Sequence, residues 1–347
     1  MNSIQHHPYF FILVAVGTFV ILFIFLRWWQ ESRYNFKDKT VLITGGSRGL
    51  GLVMARHLLR QGARLAICGR DTASLEVAKT ELEETGGKVL TIPCDVSNLA
   101  QVQQLIETVN TSLGDIDVLI NNAGIIQVGP YQTMTLSDYE TAMKVHFWGP
   151  LYTSQAVVPT MRKRKTGRIV NISSIGGKIS VPHLLPYSAS KFALVGLSQG
   201  MRSELARDGI IVTTVCPGLM QTGSTENAFF KGHHRSEYTW FSLSDSLPIV
   251  SMSADAAARQ ILAACRRGAS EVILSIPAQI ATRFHGLFPG LTSDLLKWVN
   301  RLLPSPGGIG DEQRPGKASH SSLSPSALTV LNNQAIRHHN ELETDES

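Results

Sequence analysis

The sequence predicts an α/β protein: a doubly wound sheet of seven parallel strands flanked by helices. Three observations carry that expectation. Short apolar runs without internal alternation suit strands covered on both faces. Segments of helical periodicity lie between those runs. The first run leads straight into a glycine-rich turn, Thr40-Val-Leu-Ile-Thr-Gly-Gly-Ser-Arg-Gly-Leu-Gly51. Strand and helix alternating along one chain is the pattern of a parallel sheet with crossover connections. With 347 residues, 43% hydrophobic and 17% charged, the chain can bury one large core plus appendages and is too apolar to be disordered.

Taken in order, the chain begins with an uncharged run at 10–26, bracketed by Tyr9 and by Trp28-Trp29. Its length meets the lower limit for a spanning helix, and aromatics at both ends suit the two interfaces. No Lys or Arg precedes it, as the basic start of a cleaved leader would require. Residues 1–36 are therefore expected to be an uncleaved single-pass membrane anchor with its juxtamembrane segment. Arg27, Arg33, Lys37 and Lys39 follow the run, which places the globular part on the cytoplasmic side.

Residues 37–276 are expected to form the globular domain. Strands are expected at 40–44, 64–68, 88–93, 117–121, 168–172, 210–215 and 271–274, and helices at 72–84, 99–112, 136–161, 187–208 and 254–267. In the opening turn, Gly45, Gly46, Gly49 and Gly51 permit a tight bend and close backbone approach. The helical run at 52–59 follows, so unpaired N–H groups and the positive end of its dipole point at whatever fills the turn. A phosphate suits that place.

Beyond 277 the pattern changes. Leu291, Leu295, Leu296, Val299, Leu302 and Leu303 share one helical face, with Asp294, Lys297, Asn300 and Arg301 elsewhere. Residues 277–303 are thus an amphipathic extension that packs on the domain or lies on a membrane, packing being the reading adopted. From 304 to 347 Ser, Pro, Gly, Asn and His dominate, which predicts a disordered tail.

The net charge of +5 is modest and the basic residues are dispersed, apart from Arg162-Lys-Arg-Lys165. That cluster is expected to be a solvated helix end, with no nucleic-acid partner. Cys68, Cys94, Cys216 and Cys265 lie far apart with no C-x-x-C pair, so reduced core cysteines are expected and no metal.

The second informative stretch is Asn171-Ile-Ser-Ser174 followed by Tyr187-Ser-Ala-Ser-Lys191. Tyr and Lys four apart share a helix face, so an ammonium beside the phenol is expected to lower its pKa towards working pH. A tyrosine so tuned exchanges a proton with an alcohol or carbonyl oxygen, and Ser174 can hydrogen-bond the same oxygen.

Together with Thr44-Gly-Gly-Ser-Arg-Gly-Leu-Gly51, Asp95-Val96, Asn121-Asn-Ala-Gly124 and Pro217-Gly218 with Thr222, these residues resemble the short-chain dehydrogenase/reductase family in order and spacing, over roughly 38–274. The resemblance implies a single Rossmann-like domain and an oxidoreductase acting on a carbonyl/alcohol pair. It places Gly45, Ser47, Arg48, Gly49, Leu50 and Gly51 at the dinucleotide phosphates. Asp95 and Val96 then lie at the adenine, Asn122, Ala123 and Gly124 along the adenosine ribose, and Thr222 at the carboxamide. Tyr187 is the proton donor or acceptor, Ser174 orients the substrate oxygen, and Lys191 binds the nicotinamide ribose and tunes the tyrosine. Ser188, Ala189 and Ser190 merely complete the helix turn.

An NAD site usually ends its second strand with a carboxylate for the ribose 2′-OH. Here Cys68-Gly69-Arg70 stands instead, with Arg48 in the glycine turn, and two guanidiniums there suit the 2′-phosphate of NADP. Asp71 follows too late for the usual carboxylate. One departure is Val145-His146-Phe-Trp-Gly149, where the family commonly has Asn in place of His146. His146 is expected either to offer only its backbone carbonyl to a relay water, as a tolerated replacement, or to join the proton relay through its imidazole.

The segment 219–250 would cover the site and holds Phe229, Phe230, Tyr238, Trp240 and Phe241 among His233, His234 and Arg235. Aromatics there line an apolar pocket or pack on themselves. With an anchor, a lipophilic ketone is the expected substrate: long-chain, sphingoid-type 3-keto, sterol or retinoid. The alternatives are a membrane-located reductase of 3-oxoacyl thioesters or other soluble carbonyls, and a dinucleotide-binding scaffold or sensor without turnover. Homo-oligomerisation is left open.

Overall fold

The computed structural model describes residues 8–31, 34–84, 86–246, 251–321 and 340–341. Helix α1 (Pro8–Glu31) precedes the domain. The sheet begins with β1 (Thr40–Thr44), followed by α2 (Gly49–Arg60), β2 (Arg64–Gly69), α3 (Thr72–Glu84), β3 (Val89–Pro93), α4 (Leu99–Leu113) and β4 (Val118–Asn121). Next come the short β5 (Gln127–Val128), α5 (Leu136–Met143), a π-helical turn (Lys144–Trp148), α6 (Gly149–Arg164), β6 (Gly167–Ile172) and α7 (Leu185–Leu205). The domain continues through β7 (Ile210–Cys216), β8 (Leu219–Gln221), β9 (Phe229–Phe230), α8 (His234–Ser246), β10 (Ser251–Ser253), α9 (Ala254–Arg267) and β11 (Glu271–Ile273).

Seven strands form one parallel sheet in the order β3-β2-β1-β4-β6-β7-β11. Thr44 at the end of β1 pairs in register with both Cys68 and Asn121, so the ends of β1, β2 and β4 are level. The strand order reverses between β1 and β4, which opens a crevice at their carboxyl ends. Both faces are covered, as the unbroken apolar runs require: Val41 and Ile43 pack with α2 and α9, while Leu42 packs with α4 and α6. Each such side chain contributes roughly 1.5–3 kcal/mol by leaving water.

Four expectations need comment. Among the described residues no helix is long and apolar enough to cross a membrane, so the expected single-pass anchor is not supported. α1 lies against α9, and within the expected 10–26 run the side chains of Phe10, Phe11, Ile12 and Phe23 fall outside the described residues. The extension beyond 277 is two helices, α10 (Ile276–Leu287) and α11 (Pro289–Asn300). They break at Phe288 because Pro289 starts a helix and cannot continue one. Its apolar face packs on the domain only in part: Leu291, Leu295, Val299 and Leu302 are exposed, while Leu296 and Leu303 are half-buried.

The tail is also partly ordered where disorder is expected from composition. β12 (Arg314–Pro315) pairs antiparallel with β9, which pairs parallel with β5. Gly316 N–H donates to Ala228 O at 2.9 Å and Ile309 N–H to Gly232 O at 2.9 Å. These bonds use backbone groups that any composition supplies, with Gly307, Gly308 and Gly310 taking the positive φ angles of the turn. Tail residues 322–339 and 342–347 lie outside the described residues, as do 247–250 of the covering segment. The basic cluster at the end of α6 is neutralised by Arg162–Asp208, Arg164–Asp117 and Lys165–Asp208 pairs.

Candidate active site

The glycine turn leaves β1 and enters α2 at the crevice. Gly45 has φ +64°, and a Cβ there would stand 2.8 Å from Ala123 Cα. A Cβ on Gly51 would stand 2.1 Å from Gly45 O, so only glycine lets the helix close on the turn. Arg48 is the N-cap of α2 and makes no side-chain cap, so the first helical N–H groups face the turn without that partner. Leu50 and Ser47 are buried beside it.

The Asn122-Ala-Gly124 loop is stitched to the same turn. Asn122 Nδ2 donates to Gly45 O at 2.8 Å, and the N–H groups of Asn122 and Ala123 donate to Thr44 Oγ1 at 3.0 and 3.1 Å. A Cβ on Gly124 would meet His146 Nε2 at 3.2 Å and Lys191 Nζ at 3.8 Å, so this glycine joins the loop to the residues deeper in the crevice. Val96 is buried, and Asp95 Oδ1 accepts from Ser97 N–H at 2.9 Å after β3. Thr222, buried after β8, accepts from Ser224 N–H at 3.3 Å. Arg70 is exposed at the end of β2. Asp71 is committed to capping α3: it accepts from Ala73 N–H at 3.0 Å and from the Ser74 hydroxyl, the hydrogen bond that chiefly lowers its pKa.

β6 delivers Ser174 and α7 delivers Tyr187 and Lys191. Ser174 Oγ accepts from Gly176 N–H at 3.0 Å, which fixes it at the cap of a short 3₁₀ turn. Burial pushes the Tyr187 hydroxyl up to about 12, against a lowering hydrogen bond from Ser174. This corrects the expected lysine-lowered phenol. Lys191 Nζ lies 5.6 Å from the ring centroid and donates to Ile172 O at 2.9 Å, and burial lowers its own pKa to about 8. An ammonium that is itself poorly solvated, turned towards a carbonyl, leaves the phenol protonated.

His146 sits in the π-helical turn, fully buried, with its ring edge-on to Tyr187 at 5.4 Å. A π turn inside a helix re-aims a side chain and recurs at functional sites. Ile125 N–H donates to His146 Nε2 at 3.1 Å, so that nitrogen is the acceptor and Nδ1 carries the proton. Nδ1–H then donates to Ser190 Oγ at 2.7 Å, and Ser190 donates to Tyr187 O at 2.8 Å. Burial, then the nearby Lys191 charge, hold the imidazole pKa well below the ordinary range. Ser190 therefore does more than complete a helix turn.

The covering aromatics mostly pack on one another: Phe230, Tyr238 and Phe241 are buried together with Val128, and Tyr187 lies against them. Sequence patterns gave no sign of two polar residues here. Asn227 accepts from Arg48 Nη1 at 3.0 Å. Asp245 on α8 is buried, its carboxyl pushed up to about 8 by that burial. Neither stands in a motif, and only the return of the covering segment brings them to the crevice.

Comparison with known proteins agrees with this geometry. The sequence model of the short chain dehydrogenase family matches residues 39–231. The chain is 38% identical over 188 residues to "Ketoacyl reductase HetN" of Nostoc, covering 54% of this chain and 66% of that protein. It is 37% identical over 220 residues to "Dehydrogenase/reductase SDR family member 7B" of Danio rerio, covering 62% and 71%. Among solved structures it resembles a gluconate 5-dehydrogenase of Burkholderia cenocepacia in complex with NADP and tartrate, at TM-score 0.63 and 27% identity, covering 72% of this chain and 99% of the other. Matched over more than half its length, with a glycine turn, an Asn-Asn-Ala-Gly loop and a Ser, Tyr and Lys set meeting at one crevice, the chain belongs to the short chain dehydrogenase family of oxidoreductases.

Proposed function

We propose that this chain is an NADP(H)-dependent reductase of a lipophilic ketone. The observation that carries the reading is the meeting of Ser174, Tyr187 and Lys191 at the crevice, with the Lys191 cation buried 5.6 Å from the tyrosine ring and bonded to Ile172 O. The dinucleotide supplies the hydride. As charge develops on the substrate oxygen, Ser174 donates a hydrogen bond to it and Tyr187 gives up its proton to it. Lys191 binds the ribose and stabilises the phenolate left behind. His146 is a positioning residue: a neutral imidazole, it holds the Tyr187 ring by its edge and the Tyr187 backbone through Ser190. With its pKa raised by burial the phenol carries its proton at neutral pH, so the proton needed for reduction is in place.

The cradle fits a dinucleotide because glycines stand wherever a Cβ would collide with the turn. Arg48 and Arg70 favour the 2′-phosphate, and Asp71, tied to its helix cap, has no free geometry for a ribose 2′-OH. Replacing both arginines with Ala is expected to weaken NADPH by roughly 1.5–3 kcal/mol per lost charge-assisted contact and NADH far less. Equal weakening in paired titrations would remove the arginines from that role.

A cleft of about 440 Å³ beside the start of α7 has a mixed lining, with Val181, Leu185 and Leu303 beside Gln132, His183 and Arg301, which suits a substrate with both an apolar and a polar part. The similarity to the Nostoc ketoacyl reductase favours a second reading, reduction of a 3-oxoacyl thioester. NADPH oxidation on a panel holding long-chain, 3-keto and sterol ketones and a 3-oxoacyl thioester separates the two by which class turns over.

For α1 we propose attachment to a lipid bilayer, with the domain on the cytoplasmic side. Leu13, Phe19 and Ile21 on this helix are exposed, an apolar surface that a bilayer would cover. Deleting residues 1–33 is expected to move the protein from the membrane to the soluble fraction; a full chain that is soluble without detergent would rule this out.

A further inference from the structure

The phosphate turn is occupied by a carboxylate of the same chain. Glu341, buried near the C-terminus, places Oε1 2.5 Å from the point that a Cβ on Gly49 would fill. Only a glycine admits it so close to the first turn of α2. Asn227 Nδ2 donates to Glu341 Oε2 at 2.6 Å and to its backbone O at 2.9 Å, while Asn227 Oδ1 accepts from Arg48 at 3.0 Å. The preceding Asn340 donates through Nδ2 to Ser47 O at 3.0 Å and to Ser74 O at 3.2 Å. Two tail residues thus engage Ser47, Arg48 and Gly49 of the turn, the first turn of α3, and the covering segment at once.

We propose that Asn340-Glu341 is an intramolecular plug of the dinucleotide site, an anion surrogate that the cofactor must displace in order to bind. The proposal rests on the reading of the glycine turn as the dinucleotide cradle. The carboxylate lies where the dipole of α2 favours an anion, and it takes up Asn227 and, through it, the arginine assigned to the 2′-phosphate. The plug is also displaceable. Burial pushes the Glu341 carboxyl up to about 7, against the lowering effects of Arg48 and Asn227, so its desolvation is not fully offset. A dinucleotide brings more negative charge to the same helix end. Because Asn227 belongs to the covering segment, release of the tail frees its Nδ2, while its bond from Arg48 still ties that segment to the turn.

The apparent affinity for the cofactor is then the intrinsic affinity reduced by the fraction of molecules whose plug is out. The test is a fluorescence titration of the full chain and of the Asn340→Ala, Glu341→Ala double variant with NADPH. If the plug is in place in about nine molecules of ten, the variant binds about tenfold tighter. Glu341→Gln, which keeps the shape and removes the charge, falls between. In the natural chain, hydrogen exchange at residues 340 and 341 rises when NADPH is added. Equal dissociation constants for the natural chain and the double variant would overturn the plug while leaving the cradle intact, as would exchange indifferent to NADPH. No NADPH binding by any of the proteins would instead overturn the cradle, and the plug with it.

Discussion

Tyr187→Phe is expected to lower kcat by about 10²–10⁴-fold while changing the NADPH dissociation constant by less than about twofold. The ring packs against the aromatic cluster and the edge of His146, and Phe preserves those contacts. Only the hydroxyl is lost, with its bond to Ser174 and the proton it transfers. A structural role for the tyrosine predicts the reverse: binding and stability fall and the chemical step survives in whatever protein stays folded. Single-turnover rates and a binding titration on both proteins separate these outcomes. Comparable kcat values would remove Tyr187 from the chemistry.

Lys191→Met is expected to abolish productive turnover and, without cofactor, to make the protein more stable. Lys191 is a buried cation bonded to Ile172 O, and among the described residues it forms no ion pair. Its pKa is lowered to about 8 from an ordinary value near 10.5, so the native state disfavours the charged form. Below pH 8 both native and unfolded chains carry the proton and the whole penalty is present, roughly 3 kcal/mol. Between pH 8 and about 10.5 the unfolded chain holds more protons than the native one, so this contribution to stability rises with pH, and above that window the penalty is gone. Met fills similar space without charge and recovers most of the penalty at pH 7, less about 1 kcal/mol for the lost bond to Ile172 O. Urea unfolding of the cofactor-free proteins should show the variant ahead at pH 7 and the gap shrinking by pH 10. A variant less stable than the natural chain at pH 7 would mean that the ammonium is well solvated in the native state. His146 is expected to add no limb near pH 6.5 to the pH profile of kcat, because burial and the Lys191 charge hold its imidazole pKa well below that. A limb near 6.5 that vanishes in His146→Asn would place the ring in the relay.

The frame of the domain was legible because buried parallel strands declare themselves as unbroken apolar runs. β1 and the helices α3 and α9 fall where periodicity puts them, and the other sheet strands lie within a residue or so. The glycine turn was legible for a related reason, since close backbone approach excludes every other residue type at Gly45 and Gly51. What stayed hidden depends on long-range placement. The π turn at 144–148 leaves no compositional trace, so the tautomer of His146 could not be foreseen. Tyr187 and Lys191 share a face as expected, but helix spacing says nothing of burial, and burial reverses the sign of the tyrosine shift. The ordered segment at 314–318 and the contacts of Asn340 and Glu341 are made by residues whose composition suggests disorder, through backbone pairing and two long-range amides.

The central claim is that a hydride passes between a nicotinamide cofactor and a carbonyl carbon, with the proton coming from Tyr187. The most direct measurement uses NADPH deuterated at the transferable position of C4, a lipophilic ketone that the enzyme turns over, and mass spectrometry of the alcohol formed. The account predicts one deuterium on the carbinol carbon with the natural chain, and essentially none with Tyr187→Phe under the same conditions. A natural chain that binds NADPH yet transfers no deuterium to any ketone or thioester of the panel would contradict it, and would leave a dinucleotide-binding protein without turnover.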